Sequence, residues 1–297
     1  MKLLILSALA ASALAAPTTS PSSTKYLISF GNSYTATSFD ITGEKPSPAN
    51  PLGNPPFPGW SSSGGANWIA NLVSKYNDSL LLSYNLAYGG ATVNATLVPP
   101  YTPEVLSLID QVALFDQHLS PPPSYAPWTA DNTLFAVWQG INDVGNGWYQ
   151  PEPEALAREI MTQLFEQLEL VYSGGARNFA FLTVPPTDRS PMITQGENAE
   201  YTITHLGAAI ENWNTMLNDH VAAFASAHPD VLVKVTDTQP VFHEILDSDE
   251  EAANCWHEDG VTCLWFDDYH PGLVIQEAVA REVAAAWGDF FIDPESV

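Results

Sequence analysis

Four short segments of the chain carry groups that can do acyl chemistry. Near the C-terminus stands Asp267-Asp268-Tyr269-His270-Pro271-Gly272. An Asp and a His three residues apart can meet within one turn. Asp267 can then accept from the imidazole Nδ1–H and aim the other ring nitrogen at a hydroxyl. Of the seven histidines, His270 alone follows an acid at this spacing and precedes Pro-Gly. Asp268 is the rival for the orienting acid. Near the N-terminus, an apolar run ends in Gly31-Asn32-Ser33-Tyr34-Thr35, which sets Ser33 at a strand-to-helix turn, where a nucleophile is well exposed. Asn85-Leu86-Ala87-Tyr88-Gly89-Gly90-Ala91 has adjacent glycines that let a backbone N–H approach a ligand closely. In Gly140-Ile141-Asn142-Asp143, the Asn142 amide can donate to a developing oxyanion. Taken singly, each segment has a plainer reading as a turn or a helix cap. Taken together they supply a nucleophile, a base, its orienter and three oxyanion donors (Ser33 and Gly90 N–H, Asn142 amide), a complete set for acyl transfer.

Each segment follows an apolar run. The sequence predicts strands at 26–30, 80–86, 133–138, 178–184 and 231–235. Between and after them it predicts helices at 66–76, 103–119, 153–172, 199–227 and 274–287, with Gly174-Gly175 stopping the third. Strand and helix in alternation imply a five-stranded parallel sheet with helices on both faces and right-handed crossovers. In such sheets, sites form outside the carboxyl ends of the strands, near the switch in strand order.

Met1 and Lys2 followed by an apolar, small-residue stretch ending in Ala13-Leu14-Ala15 read as a secretory signal peptide over residues 1–15, too short for a membrane anchor. No linker or repeat divides the remainder, so residues 25–297 are expected to form a single domain, and a monomer. Nine Lys and Arg against 34 Asp and Glu give a formal charge of −25, which repels nucleic acid and anionic lipid and favours a neutral substrate. Cys255 and Cys263 are expected to pair in an oxidising compartment, two buried free thiols being the alternative. Asn77-Asp78-Ser79 and Asn94-Ala95-Thr96 permit glycosylation at Asn77 and Asn94. No cluster has the spacing of a metal site, and the expected chemistry needs no cofactor.

From Phe30 to Gly272 the four segments, in this order, resemble the blocks of the SGNH (GDSL-like) hydrolases, which supply Ser, Gly, Asn and His. The resemblance implies a three-layer α/β/α sandwich of flavodoxin-like type. It implies Ser33 as nucleophile, His270 as base, Asp267 as its acid, and Ser33, Gly90 and Asn142 at the oxyanion hole. An α/β-hydrolase would need a G-x-S-x-G elbow, and none occurs. One position departs from the family pattern: Asn32 stands where the first block usually has Asp, which keeps the shape and one acceptor without the charge.

Within the superfamily, Phe30–Thr35, Trp138–Asp143 and Trp265–His270 are most similar to fungal acetylesterases of carbohydrate esterase family sixteen. That resemblance implies a secreted, extracellular enzyme acting on acetylated oligosaccharides or small esters. Trp60, Trp128 and Trp148 stand in loop segments where a ring could stack on a sugar, or could instead pin the loop. Two other readings stand beside this one: an esterase for lipid or longer acyl esters, and a non-catalytic glycan-binding protein on a hydrolase fold.

Overall fold

The apolar runs become strands buried on both faces, as a parallel sheet covered by helices on each side requires. The computed structural model describes residues 24–296, so the expected signal peptide lies outside the described residues. The strands are β1 (Lys25–Gly31), β2 (Leu81–Asn85), β3 (Thr133–Trp138), β4 (Asn178–Leu182) and β5 (Leu232–Thr236). They form one sheet in the order β2-β1-β3-β4-β5, and every pairing is parallel. The order reverses at β1, flanked by β2 and β3, so the switch point lies at the end of the strand that leads to Ser33.

The helices are α1 (Trp68–Ser74), α2 (Leu108–Leu119), α3 (Ile141–Gly147), α4 (Pro153–Ser173), α5 (Pro191–Thr194), α6 (Ala199–Ala227), α7 (Gln239–Ser248), α8 (Glu250–Ala253) and α9 (Leu273–Ala286). Helix α1 packs on α9, and α4 packs on both α2 and α6. The helices thus flank the sheet, giving the expected α/β architecture. Large side chains fill the interior, among them Trp68, Trp138, Trp213, Trp265 and Trp287.

Three of the differences from the sequence reading have local reasons. The helix expected from residue 103 begins at Leu108, because Ser107 and Asp110 close a capping box there, with Ser107 N–H donating to Asp110 Oδ2 at 2.9 Å. The fourth strand stops at Leu182, ahead of Pro185-Pro186. Helix α3 was not expected at all: Ile-Asn-Asp-Val-Gly-Asn-Gly holds two glycines and little helix propensity. Tertiary contact overrides that deficit. Gly140 before it adopts φ 112°, and a side chain there would run into the Trp213 ring.

Cys255 and Cys263 form a disulfide, with Cα atoms 5.6 Å apart. Asn77 and Asn94 are both half-buried. Asn77 donates to the Ser79 carbonyl, and Asn94 donates to Gln163 Oε1 at 2.5 Å. Among the described residues, no helix is long and apolar enough to cross a membrane.

Candidate active site

Ser33 sits two residues beyond β1, in a turn held from several sides. The Asn32 carbonyl accepts from Thr35 N–H at 3.0 Å and Ala36 N–H at 2.9 Å. The Asn32 side chain is fully buried; it donates to the Trp138 carbonyl at 3.0 Å and accepts from Tyr34 N–H at 3.1 Å. Gln111, reaching in from α2, grips Gly31 with both ends of its amide: Oε1 accepts from Gly31 N–H and Nε2 donates to Gly31 carbonyl, each at 2.9 Å. Farther along the turn, Asn67 and Asn85 both donate to the Thr35 carbonyl, at 2.9 and 2.7 Å. All four amides are buried, and each fixes backbone; Asn85 also bonds the hydroxyls of Ser29 and Thr37.

His270 arrives from the other end of the chain. Its Nε2 lies 2.8 Å from Ser33 Oγ, and its Nδ1 lies 2.7 Å from Asp267 Oδ2. A carboxylate only accepts, so Nδ1 carries the proton and Nε2 accepts from the Ser33 hydroxyl. Asp267 also accepts from the backbone N–H groups of Tyr269 and His270, at 2.8 and 2.7 Å. Burial pushes its carboxyl upward, but the His270 ring and these two N–H groups outweigh burial and hold it below the ordinary carboxylate range. Asp268 is exposed, and its contribution is its carbonyl, which accepts from Met192 N–H at 2.7 Å. Asp267, and not Asp268, is hydrogen-bonded to the His270 ring. Tyr34 ties the two halves together, its hydroxyl donating to the Tyr269 carbonyl at 2.5 Å.

A cavity of about 820 Å³ opens at Ser33 and His270, and Gly89, Gly90 and Asn142 line it. Gly90 has φ 82°, and a Cβ on it would collide with the Tyr101 ring, so two constraints demand glycine. Among the described residues the N–H groups of Ser33 and Gly90 have no acceptor. Asn142 spends one amide hydrogen on the Ala91 carbonyl at 2.9 Å, leaving the second. Next to it, Asp143 is buried, and its Oδ1 accepts from Val93 N–H at 2.8 Å. Burial, partly offset by backbone hydrogen bonds from Val93 and the start of α3, raises its carboxyl to about 7. The pair Asn142-Asp143 thus holds the loop that contains Gly90. A hydroxyl, an imidazole and a carboxylate in line, facing free N–H donors, can carry out nucleophilic acyl transfer.

The three loop tryptophans part company. Trp60 is 66% exposed and lines the cavity beside Ser33. Trp128 does not: it is buried against Phe115 and Phe135, and its indole N–H donates to the Leu119 carbonyl at 2.8 Å. It is a core anchor, because the Pro-rich loop that carries it sets the ring between α2 and the central strand β3 rather than over the site. Trp148 lines a separate pocket. The sequence reading missed Tyr101, 76% exposed over Gly90, and Gln111, since neither lies in a segment with chemical spacing.

This fold and site are those of an ester-hydrolase family: the chain belongs to the GDSL-like lipase/acylhydrolases, whose family model matches residues 27–283. It is similar to an acetylesterase of Thermothelomyces thermophilus, with 50% identity over 274 residues, which cover 91% of this chain and 90% of that protein. An acetylesterase of Hypocrea jecorina shares 22% identity over 87% of each chain. The crystal structure of Axe2, an acetylxylan esterase from Geobacillus stearothermophilus, superposes with a TM-score of 0.47 at 16% identity, over 87% of this chain and 92% of that one.

Proposed function

We propose that this chain is a secreted serine esterase that removes acetyl groups from small esters, with acetylated hemicellulose oligosaccharides as its natural substrate class. The observation that carries the reading is the line from Asp267 through His270 to Ser33 Oγ, in a chain half identical to a named acetylesterase. His270 Nε2 takes the Ser33 proton as Oγ bonds to the acetyl carbonyl carbon. The oxyanion is held by Ser33 and Gly90 N–H and by the Asn142 amide. His270 then passes its proton to the leaving alcohol as the C–O bond breaks. Water, deprotonated by His270, releases acetate from Ser33 and restores the hydroxyl.

Trp60 and Tyr101, exposed at the cavity, offer ring faces to a sugar. The net negative charge suits a neutral substrate. The Cys255–Cys263 disulfide fits an oxidising compartment, in keeping with secretion. Residues 25–297 act in this reading as one hydrolase unit, working alone.

One observation favours a second reading. The cavity is far larger than an acetyl group needs, and Phe39, Ile41, Leu86, Leu106 and Leu114 make much of its wall apolar. Longer acyl chains would fit such a wall.

Hydrolysis of 4-nitrophenyl acetate, butyrate and octanoate by wild type and Ser33→Ala separates the readings. Acetate turnover that falls with chain length and disappears in the variant is expected. Preference for octanoate would move the substrate to longer acyl esters. No turnover, together with no labelling by a fluorophosphonate, would leave only binding.

A further inference from the structure

Five consecutive residues, Ser38 to Thr42, line the cavity that opens at Ser33 and His270. Their burial alternates. Phe39 is half-buried and Ile41 buried, while Ser38, Asp40 and Thr42 are exposed. The apolar pair thus joins the cavity wall, and the three polar side chains stand at its mouth. Trp60 borders the same segment. Its N–H donates to the Thr37 carbonyl at 3.1 Å, and its carbonyl accepts from the Ser38 hydroxyl at 3.4 Å.

Asp40 is held firmly at this mouth. Its Oδ1 accepts from the Thr42 N–H at 2.8 Å and from the Thr42 hydroxyl at 2.7 Å. The Asn54 carboxamide clasps its backbone: Oδ1 accepts from the Asp40 N–H at 3.2 Å, and Nδ2 donates to the Asp40 carbonyl at 2.8 Å. Among the described residues Asp40 Oδ2 has no hydrogen-bond partner, and the residue is open to solvent. The bonds from Thr42 hold the carboxyl below the ordinary carboxylate range, so it stays ionised well into acid. Lys45, the cation that acts on Asp40, is engaged elsewhere: Nζ donates to the Ile41 carbonyl and lies 5.4 Å from the Tyr125 ring centre.

Among the described residues Asp40 is the one carboxylate in the cavity lining, and no Lys or Arg lines it. An anchored carboxylate with a free oxygen acts on an approaching alcohol in two ways. It accepts hydroxyls, and charge-assisted bonds of this kind are roughly twice as strong as neutral ones. It also repels an anion, in a mouth with no cation to offset it.

We propose that Asp40 is the specificity-determining residue for the alcohol half of the substrate: it accepts hydroxyls of a neutral sugar lying on Trp60, and it turns away alcohols that carry a carboxylate. This rests on the esterase reading and adds to it a residue and a rule of selection.

The test compares kcat/KM on four acetyl esters at low salt, where exposed charges are least screened. 4-Nitrophenyl acetate has no hydroxyl, and acetylated xylotriose has several. 4-Acetoxybenzamide and 4-acetoxybenzoate differ by one negative charge. In Asp40→Ala the preference for acetylated xylotriose over 4-nitrophenyl acetate should fall by about tenfold, chiefly through KM. Asp40→Asn keeps an acceptor for Thr42 and removes the charge. Its preference for the benzamide over the benzoate should fall by about threefold or more. Asn54 bonds only the backbone of Asp40, so both variants retain that clasp. Glu282→Gln, which removes one exposed charge near the end of α9, should leave both preferences as they are. Wild-type preferences in both Asp40 variants would overturn the assignment. So would an equal shift of the benzoate preference in Glu282→Gln, which would make selection a matter of net charge. A wild type that cleaves 4-nitrophenyl acetate but not acetylated xylotriose would overturn it too. A wild type inactive on all four esters would instead remove the esterase reading, and this assignment with it.

Discussion

Ser33 stands at the end of a strand buried along nearly its whole length, whereas His270 stands in a stretch from 254 to 272 without a helix or a paired strand. Around Ser33, buried amides from three separate elements fix the turn, so its geometry is a property of the whole sheet. Around Asp267 and His270 the fastening is mostly short-range, with Tyr34 and Met192 reaching in from elsewhere in the chain. The Cys255–Cys263 disulfide closes the loop, the buried Trp265 donates to the Ala253 carbonyl at 3.0 Å, and isolated bridges join Trp265 to Trp256 and Pro271. Asp259 accepts from Val261 and Thr262 N–H and from the Thr262 hydroxyl, and these bonds hold its carboxyl well below the ordinary range. One half of the site is placed by global folding and the other by local fastening. Perturbations should therefore separate them.

The largest expected effect is on the locally fastened half. His270→Ala should lower kcat on 4-nitrophenyl acetate by about 10⁴-fold or more without moving the melting temperature. A residual rate within tenfold of wild type would remove His270 from the proposed role. Asp267→Asn should cost about 10²–10⁴, while Asp268→Asn, whose carbonyl is untouched, stays near wild type. The opposite ranking would exchange the two acids. Asn142→Ala, at the border of the two halves, should lose about 10²–10³ in kcat with little change in KM. Near-normal turnover would take the amide out of the oxyanion hole.

A fourth effect is read in stability. With its carboxyl raised to about 7, Asp143 binds its proton more tightly folded than unfolded. Its stabilising contribution is full below about pH 4 and is lost as pH rises through about 7, by up to roughly 4 kcal/mol. Asp267 acts in the opposite sense, its carboxyl being lowered, so its contribution is lost as pH falls below the ordinary carboxylate range. Urea unfolding between pH 4 and pH 7 should therefore show Asp143→Asn more stable than wild type at neutral pH and similar to it in acid. A constant difference across that range would count against a buried titrating carboxyl. The smallest effect concerns the disulfide, whose short loop is worth about 2–3 kcal/mol. Reduction should depress turnover under conditions where the far-ultraviolet circular dichroism is unchanged. Simultaneous loss of both would mean that the loop and the sheet are fastened as one.

The same contrast governs what could be read from residues alone. The strands, the parallel sheet and the four site segments follow from apolar runs and from spacing, which are local signals. The Asp-x-x-His turn is also local, and the structure reproduces it. Gln111 and Tyr34 escape such reading: one acts across 80 residues on Gly31 and the other across 235 on Tyr269, and nothing beside either in the chain marks the partner. The tryptophans fail for a related reason. A ring in a Pro-rich loop has the same neighbours in sequence whether the loop folds outward, as at Trp60, or inward, as at Trp128.

Asn32 gives the turn at Ser33 a property that an aspartate would not. Its amide donates to the Trp138 carbonyl while accepting from Tyr34 N–H, and it does both without a charge. An ionised carboxylate has no hydrogen to offer that carbonyl, and would have to be protonated to do so. The clasp on Ser33 is thus the same object in strong acid and at neutrality. Whatever sets the acid limit of this protein, it is not the joint that holds its serine.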